Sequence, residues 1–592
     1  SQIGSMKKLE SRWGGSADTQ HVSDQEECPS AQVRIHGVHK SSLETGRRRL
    51  LLGAGLFTVG LFVLSMRLVE VALFNEVRTP VAVNEAAEFN DGPARADIVD
   101  RNGVVLATNL NTHSLYADPQ DVRDSSDAAN RLIDVLHGID LEEVAARLAS
   151  DRQFVWLKRH LKPRQVAAVN ALGEPGFRFI EEQRRLYPHG SLLVHAVGYA
   201  KIDNRGLSGL ESTYDERLLA QPNRQLTLSI DLRFQHAMYE ELTRAVAMHR
   251  PLGAAGIVMD VATGGLRALV SLPDFNPNDN GKVESSALFN RATLGVYEMG
   301  STFKIFTAAM GIDSGVFTLQ DSFDASEPLR FGRNNIIRDF HGEARRLSVP
   351  EIFIHSSNIG AAKMALAVGG SAQREFLARL GLLDRAGIEL PETAMPHYPS
   401  DWKDVNTATI GFGHGVAVSP VHLAAAVAAL VNGGLWHSPT LLAENEKPGK
   451  AVRVVSEATS HTIRQLLRLA VTHGTGRNAE VGGYGVGGKT GTAEKVGPNG
   501  YDRRRVLSSF VGVFPITRPR YLVLAMLDEP KGTPSTHGYA TGGWIAAPVV
   551  ARVIAKVGPM VGITTIVEAP IDNDFPTTVI KLDGNELRLA AY

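Results

Sequence analysis

Three short stretches of the chain hold side chains able to carry out nucleophilic chemistry. Ser301 and Lys304, in "GSTFKIF", have S-x-x-K spacing; Ser356 and Asn358, in "HSSNIG", belong to the only S-x-N; Lys489-Thr490-Gly491-Thr492 contains the only K-T-G. A serine hydroxyl is a poor nucleophile until a base takes its proton. On a helix, positions i and i+3 are neighbours about 5–6 Å apart at Cβ, so Lys304 stands beside Ser301. Lysine serves as that base only when its pKa falls, through burial or a second cation nearby. Lys489 on an edge strand would supply the cation, and the start of the Ser301 helix would offer backbone N–H groups to an oxyanion. The Ser356 hydroxyl can relay a proton to a leaving amine, and the Asn358 amide can hold a substrate amide with both donor and acceptor. Thr490 and Thr492 would bind a carboxylate, and Gly491 would let a peptide backbone lie close.

Each piece is weak alone. S-x-x-K occurs three times, at Ser5/Lys8, Ser301/Lys304 and Ser400/Lys403. The first lies in a polar tail and the third in a polar loop; only the second has glycine before the serine and an apolar helical pattern after it. The K-T-G also overlaps a phosphate-loop pattern, G-x-x-x-x-G-K-[ST], at Gly483, Gly488, Lys489 and Thr490. A phosphate loop needs a buried strand before it and a helix directly after. Here "GRNAEVGGYG" is no apolar strand, and "TAEKVGPNGYDRRR" holds Gly-Pro-Asn-Gly where the helix should run. The glycines instead let a loop turn into a strand beginning near Gly488. The three motifs together, in the order S-x-x-K, S-x-N, K-T-G, are far more specific than any one of them.

The elements that must position these groups are legible in outline. "RQLTLSIDLRFQHAMYEELTRAV" reads as a strand followed by a helix. "AAGIVMDVATGGLRALVSLP" reads as a hairpin around Thr263-Gly264-Gly265, and "LSSFVGVFP" with "YLVLAMLDEP" as a second hairpin. "VHLAAAVAALVNGG" is a helix with an Asn-Gly-Gly stop. Hairpins at both ends of a helical middle predict an α/β domain with one mixed or antiparallel sheet. Upstream, "HSLYADP" reads as a strand, and Asp140 as the N-cap of "LEEVAARLAS" in a separate module.

At 592 residues the chain needs several cores, and its net charge of -1 gives no reason to expect a nucleic-acid partner. The run Leu50 to Met66 is uncharged, follows Arg47-Arg48-Arg49, and has ten Leu, Phe or Val residues. Those residues favour insertion by roughly 3–6 kcal/mol, which predicts an uncleaved membrane anchor. The positive-inside rule then puts residues 1–49 in the cytoplasm and everything after about residue 70 outside. The single cysteine, Cys28, lies in the tail, so the exported part can form no disulfide. Neither a metal nor another cofactor is expected, since there is no H-E-x-x-H and the exported part has no cysteine.

The chain after the anchor resembles a class B penicillin-binding protein. The three motifs carry the resemblance, together with "RADIVDRNG" (Arg95 to Gly103), "RLYPHG" (Arg185 to Gly190), "GLSGLE" (Gly206 to Glu211) and "GFGHGVAVSP" (Gly411 to Pro420). "SSFVGVFP" (Ser508 to Pro515) and "GGWIAAPVVARVI" (Gly542 to Ile554) look most like the division-specific, septal subtype. Two positions depart from the family: Ala96 replaces a pedestal glycine, and Met299 stands where proline usually precedes Gly-Ser. The first bears on a pedestal turn and the second on how the active-site helix starts.

The resemblance implies a transpeptidase domain of the penicillin-binding and serine β-lactamase type, an antiparallel sheet with helices, on an elongated α+β pedestal. The expected organisation is a cytoplasmic tail at 1–49, an anchor at 50–70, a pedestal or dimerisation-type domain at 75–222, a transpeptidase domain at 223–560 and an extension at 561–592. Anchor and pedestal together imply a single-pass protein of the inner membrane with a periplasmic catalytic domain. The implied reaction is D,D-transpeptidation of peptidoglycan stem peptides, on lipid-linked or nascent glycan strands. Ser301 would be the nucleophile, Lys304 the base, Ser356 the proton relay with Lys489, and Asn358, Thr490, Gly491 and Thr492 the substrate binders. The N–H groups of Ser301 and Thr492 would form the oxyanion hole. β-Lactams would acylate the same serine. Expected partners are a membrane-embedded glycan polymerase and other division proteins. A β-lactamase would need a deacylating base, and no E-x-E-L-N-like segment lies between the second and third motifs. A bifunctional synthase would need a glycosyltransferase domain larger than Arg95 to Pro222 can hold. An elongation-type enzyme, a penicillin sensor and an idle scaffold remain the other readings.

Overall fold

The computed structural model describes residues 55, 57–66 and 94–565, apart from 280, 282, 333–334, 341, 447–450 and 498–499. The chain divides into two units, residues 1–85 and 86–592. In the first, residues 57–66 are helical and exposed; the rest of the expected anchor, save Gly55, lies outside the described residues. Among the described residues no helix is long and apolar enough to cross a membrane.

The second unit opens on the pedestal, built on the strand Val105–Ala117. This strand pairs antiparallel with Ile98–Val99, with Val155–Leu161 and along its length with Phe177–Leu186, while Ile98–Val99 runs parallel to Leu226–Thr227. Two helices cover this sheet, Ser125–Val135 and Leu141–Leu148, each started by an aspartate. Asp140 accepts from the Glu143 N–H at 2.9 Å, the N-cap its position predicts. Leu132, Val144 and Leu148 then meet Leu115, Val155 and Leu161 in one core.

The three pedestal motifs close on one another around Glu211. Its carboxylate pairs with Arg95 and, at 2.7 Å, with Arg185; Arg95 also reaches Asp215 at 2.6 Å. The Tyr187 hydroxyl donates to Glu211 at 3.3 Å. Glu211 and Arg95 are fully buried as side chains, so the cluster survives only because each charge faces another. Ala96 is 1 % exposed and lies in the core, its N–H donating to the Leu218 carbonyl at 2.9 Å. Its methyl group is accommodated in that core.

The catalytic domain is organised by a five-stranded antiparallel sheet. Its order is Gly487–Gly497, Gly500–Phe514, Tyr521–Asp528, Gly253–Asp260, Leu266–Leu272. Both expected hairpins form, and they join because Tyr521–Asp528 pairs with Gly253–Asp260 in full register from Tyr521/Asp260 to Asp528/Gly253. The inner strands are apolar at consecutive positions because both faces are covered. On Tyr521–Asp528, Leu522, Leu524 and Met526 enter one core and Val523, Ala525 and Leu527 the other. Two helices, Leu232–His249 and Ala546–Met560, pack on the second face through Phe234, Met238, Val549 and Val553. The first face carries the helices Lys304–Asp313, Asn358–Val368, Pro420–Val431 and Glu457–Thr472. Pro420–Val431 is buried at every position and stops at Asn432 before Gly433 and Gly434, both at positive φ.

Replacing Glu211 with Gln would leave buried Arg185 without a carboxylate and Arg95 with Asp215 alone. A loss of about 3–5 kcal/mol is expected, the cost of breaking a buried ion pair from one side. Urea unfolding of the variant measures it, and a change under about 1 kcal/mol would contradict a structural role for this cluster.

Candidate active site

The nucleophile sits at a break in helical geometry. Residues Gly300–Phe303 form a 3-10 turn, and the α-helix proper begins at Lys304. Sequence spacing alone predicts an α-helical start; the tighter turn arises because Gly300 adopts φ +56° and the Thr302 hydroxyl donates back to the Met299 carbonyl at 3.0 Å. In a 3-10 turn side chains three apart eclipse one another, which stacks Lys304 on Ser301 more directly than an α-helix would. Lys304 Nζ lies 2.9 Å from Ser301 Oγ.

Three further acceptors surround the same amine: the Ser356 carbonyl at 2.6 Å, Ser356 Oγ at 3.0 Å and Asn358 Oδ1 at 2.8 Å. Ser356 has φ +57°, a conformation that costs a non-glycine residue about 1–3 kcal/mol. That turn brings its carbonyl and its hydroxyl to Lys304 together. The following residues are held by Asp339, which accepts from Ser357 Oγ at 2.7 Å and from the N–H groups of Asn358 and Ile359 at 2.5 and 2.9 Å. Ser357 caps the Asn358–Val368 helix by accepting from the Gly360 N–H at 2.9 Å. Asn358 Nδ2 donates to the Arg338 carbonyl at 3.2 Å, which fixes the direction of its amide.

The third motif arrives on the edge strand of the sheet. Lys489, Thr490, Gly491 and Thr492 lie in the middle of Gly487–Gly497, paired with Val511, Phe510, Ser509 and Ser508. No helix follows Lys489, so the phosphate-loop pattern has no phosphate-loop structure. Lys489 Nζ donates to Ser356 Oγ at 3.0 Å and lies 5.7 Å from the centre of the Phe353 ring. Ser356 Oγ therefore bridges the two lysines. Thr490 Oγ1 is 2.7 Å from Thr475 Oγ1, and Thr492 Oγ1 accepts from the Gly542 N–H at 3.1 Å, which leaves its own proton to donate.

Glycine is required where the serine turn meets this strand. A Cβ on Gly491 would stand 2.3 Å from Ser509 Oγ and 2.7 Å from the Met299 carbonyl; one on Gly300 would stand 2.8 Å from the Thr492 carbonyl. These contacts bring the first and third motifs together.

Burial sets the electrostatics. Lys304 is 2 % exposed and Lys489 is 0 % exposed. Desolvation holds Lys304 well below the ordinary lysine range, and the charge of Lys489 lowers it further while Asp339 opposes. Desolvation lowers Lys489 to about 7. Once neutral, Lys304 has two N–H donors for the Ser356 carbonyl and Asn358 Oδ1, and one lone pair for the proton of Ser301. In this arrangement a neutral Lys304 can take the Ser301 proton and Ser356 can relay it.

Sequence reasoning did not identify Asp339, Thr475 or the wall around His414 as parts of the site. Gly413 accepts from the Gly300 N–H at 3.2 Å, and Gly415 donates to Glu298 at 2.6 Å. Burial and the nearby Lys304 charge lower His414 to about 4, so the imidazole is neutral. The only signal for this wall was the glycine spacing of "GFGHGV". Of the other two S-x-x-K matches, Lys403 pairs with Asp401 in an exposed loop apart from the site, and Ser5/Lys8 lie outside the described residues. Among the described residues no cluster of His, Cys, Asp or Glu could hold a metal.

Lys304 must be neutral to accept the serine proton, so acylation should accelerate as pH rises through its pKa. Lys489→Met removes a cation that lowers that pKa. The ascending limb of the pH–rate profile for β-lactam acylation should move to higher pH in the variant. An unmoved limb would rule out electrostatic coupling between the two amines.

Comparison with known proteins agrees with this geometry. Residues 254–555 match the family model of the penicillin binding protein transpeptidase domain, and residues 90–227 that of the penicillin-binding protein dimerisation domain. The probable peptidoglycan D,D-transpeptidase FtsI of Caulobacter vibrioides is 39% identical over 484 residues, covering 79% of this chain and 82% of that protein. Peptidoglycan D,D-transpeptidase FtsI of Escherichia coli K12 is 29% identical over 498 residues, covering 78% and 83%. The fold matches the crystal structure of penicillin binding protein 3 from Mycobacterium tuberculosis complexed with aztreonam, with TM-score 0.64 and 23% identity over 80% of this chain and 97% of that one. With a dimerisation domain followed by a transpeptidase domain, the chain belongs to the class B penicillin-binding proteins.

Proposed function

We propose that this protein is a septal peptidoglycan D,D-transpeptidase that works through an acyl-serine intermediate. The observation that carries the proposal is the Lys304 amine, 2.9 Å from Ser301 Oγ and buried against Ser356, Asn358 and the neighbouring Lys489. Septal rather than elongation work is supported by the relatives named FtsI.

Ser301 Oγ attacks the carbonyl of the penultimate D-Ala as its proton passes to Lys304, and the N–H groups of Ser301 and Thr492 receive the developing oxyanion. Collapse breaks the peptide bond. The proton returns through Ser356, with Lys489 holding that hydroxyl, to the leaving terminal D-Ala. An amine from a neighbouring stem peptide then attacks the acyl-serine, gives up a proton along the same path, and releases Ser301. Asn358 holds the substrate amide, Thr490 and Thr492 hold its carboxylate, and Gly491 admits the peptide backbone beside the strand. A β-lactam would enter the same path and stop at the acyl-serine.

The same reading assigns residues 1–49 to the cytoplasm, 50–70 to an inner-membrane anchor, 75–222 to the pedestal and 223–560 to a periplasmic catalytic domain, with 561–592 as an extension. It pairs the enzyme with a membrane-embedded glycan polymerase and other division proteins.

Mass spectrometry after brief exposure to a β-lactam is expected to show one adduct, mapped to Ser301. Ser301→Ala should lose the adduct and fail to support division in cells that depend on this protein. Loss of labelling with normal division would reduce the protein to a scaffold, and sustained nitrocefin hydrolysis would mark a β-lactamase.

A further inference from the structure

A cavity of about 270 Å³ lies where the pedestal meets the catalytic domain, and it shares no residue with the serine cleft. Its walls carry Arg101, Arg233, Arg267, Arg520 and Asn102 against a single carboxylate, Asp231. Arg101 is the second arginine of the pedestal motif Arg95 to Gly103 and takes no part in the Glu211 cluster.

The surrounding charges are unevenly spent. Asp231 pairs with Arg233 at 2.6 Å and caps the helix Leu232–His249. Arg267 pairs with Asp260 at 2.9 Å and Glu446 at 2.5 Å. It is 2 % exposed, and its Nε has no hydrogen-bond partner. Arg101 approaches Glu446 only at 3.9 Å. Arg520 makes no ion pair among the described residues; its guanidinium stacks 5.2 Å from the Tyr521 ring and donates to the Val561 carbonyl at 3.4 Å. Two guanidiniums therefore keep most of their donors free, while the adjacent start of the helix Leu232–His249 is already taken by Asp231 and by Asp100, which accepts from the Leu232 N–H at 3.1 Å.

We propose that this cavity binds a phosphate group, either free or carried on a sugar or a lipid headgroup. A guanidinium fork matches two oxygens of one anion, and two free forks call for a group with at least three oxygens and a double charge. A single carboxylate would satisfy one fork only. The volume is close to the lower end of small-ligand sites, about 300 Å³, so a phosphate with a small substituent fits and a folded partner does not.

The test uses the full chain in nanodiscs and an Arg101→Gln/Arg520→Gln double variant. Covalent β-lactam labelling of Ser301 serves as the folding control. Inorganic phosphate and glucose 1-phosphate, titrated against chloride at matched ionic strength, should raise the unfolding temperature of the wild type saturably. The apparent Kd in the double variant should be at least tenfold weaker. If lipid is the source, nanodiscs containing phosphatidic acid should stabilise the wild type over the variant without added phosphate. An equal response of both proteins to every probe, or no response of the wild type to any, overturns the proposal.

Discussion

The catalytic half of this protein depends on keeping the Lys304 amine out of water without giving it a carboxylate. A buried ammonium is expensive, and the usual remedy is a buried acid. Here the nearest acid, Asp339, is bound to Ser357 Oγ and to two backbone N–H groups, so its charge is only a partial counterweight. The second cation, Lys489, adds repulsion in place of relief. The amine is met by neutral oxygens from Ser301, Ser356 and Asn358. Neutral oxygens bond an ammonium more strongly than an amine but offset less than a carboxylate would, so desolvation and Lys489 prevail and favour the form that can take a proton.

That requirement accounts for several costly local choices. Ser356 occupies a left-handed conformation so that its carbonyl and hydroxyl can face the same amine. Gly300, Gly413 and Gly491 give up side chains so that backbones can touch; a Cβ on Gly413 would lie 2.0 Å from the Gly300 carbonyl. The rest of the sheet is packed on both faces. A left-handed serine and close backbone approaches thus fall where the motifs meet, as expected where catalysis needs a fixed geometry.

Much of the framework could be read from the sequence. The apolar runs around Thr263-Gly264-Gly265 and "ITRPR" announced two hairpins, Asp140 announced a helix, and the order of three short motifs announced the site. These signals are local, because capping, turn chemistry and i/i+3 spacing act over a few residues. What stayed hidden is long-range. The pairing of Tyr521–Asp528 with Gly253–Asp260, the hold of Asp339 on Asn358, and the Thr475–Thr490 contact join segments whose proximity no periodicity encodes. The 3-10 turn at Ser301 was also beyond sequence reach, because it follows from how Gly300 fits under Gly413 and Thr492.

The edge position of Gly487–Gly497 carries the last step. An edge strand leaves a row of backbone groups unpaired, a hazard that proteins commonly blunt with charge, proline or short length. This strand is 11 residues long, and among the described residues its only neighbour in the sheet is Gly500–Phe514. Lys489 is turned inward to Ser356 and cannot guard the edge beside Ser301. Gly491, opposite Ser509, carries no side chain to obstruct an incoming chain. An extended peptide is the ligand such an edge suits, since it can pair with the free backbone groups while Thr490 and Thr492 reach its end. The feature that would invite aggregation in an idle strand is thus the one that, in the proposed reaction, would let a stem peptide lie in line with Ser301. The glycine that keeps the edge open also lets the serine turn pack beneath it.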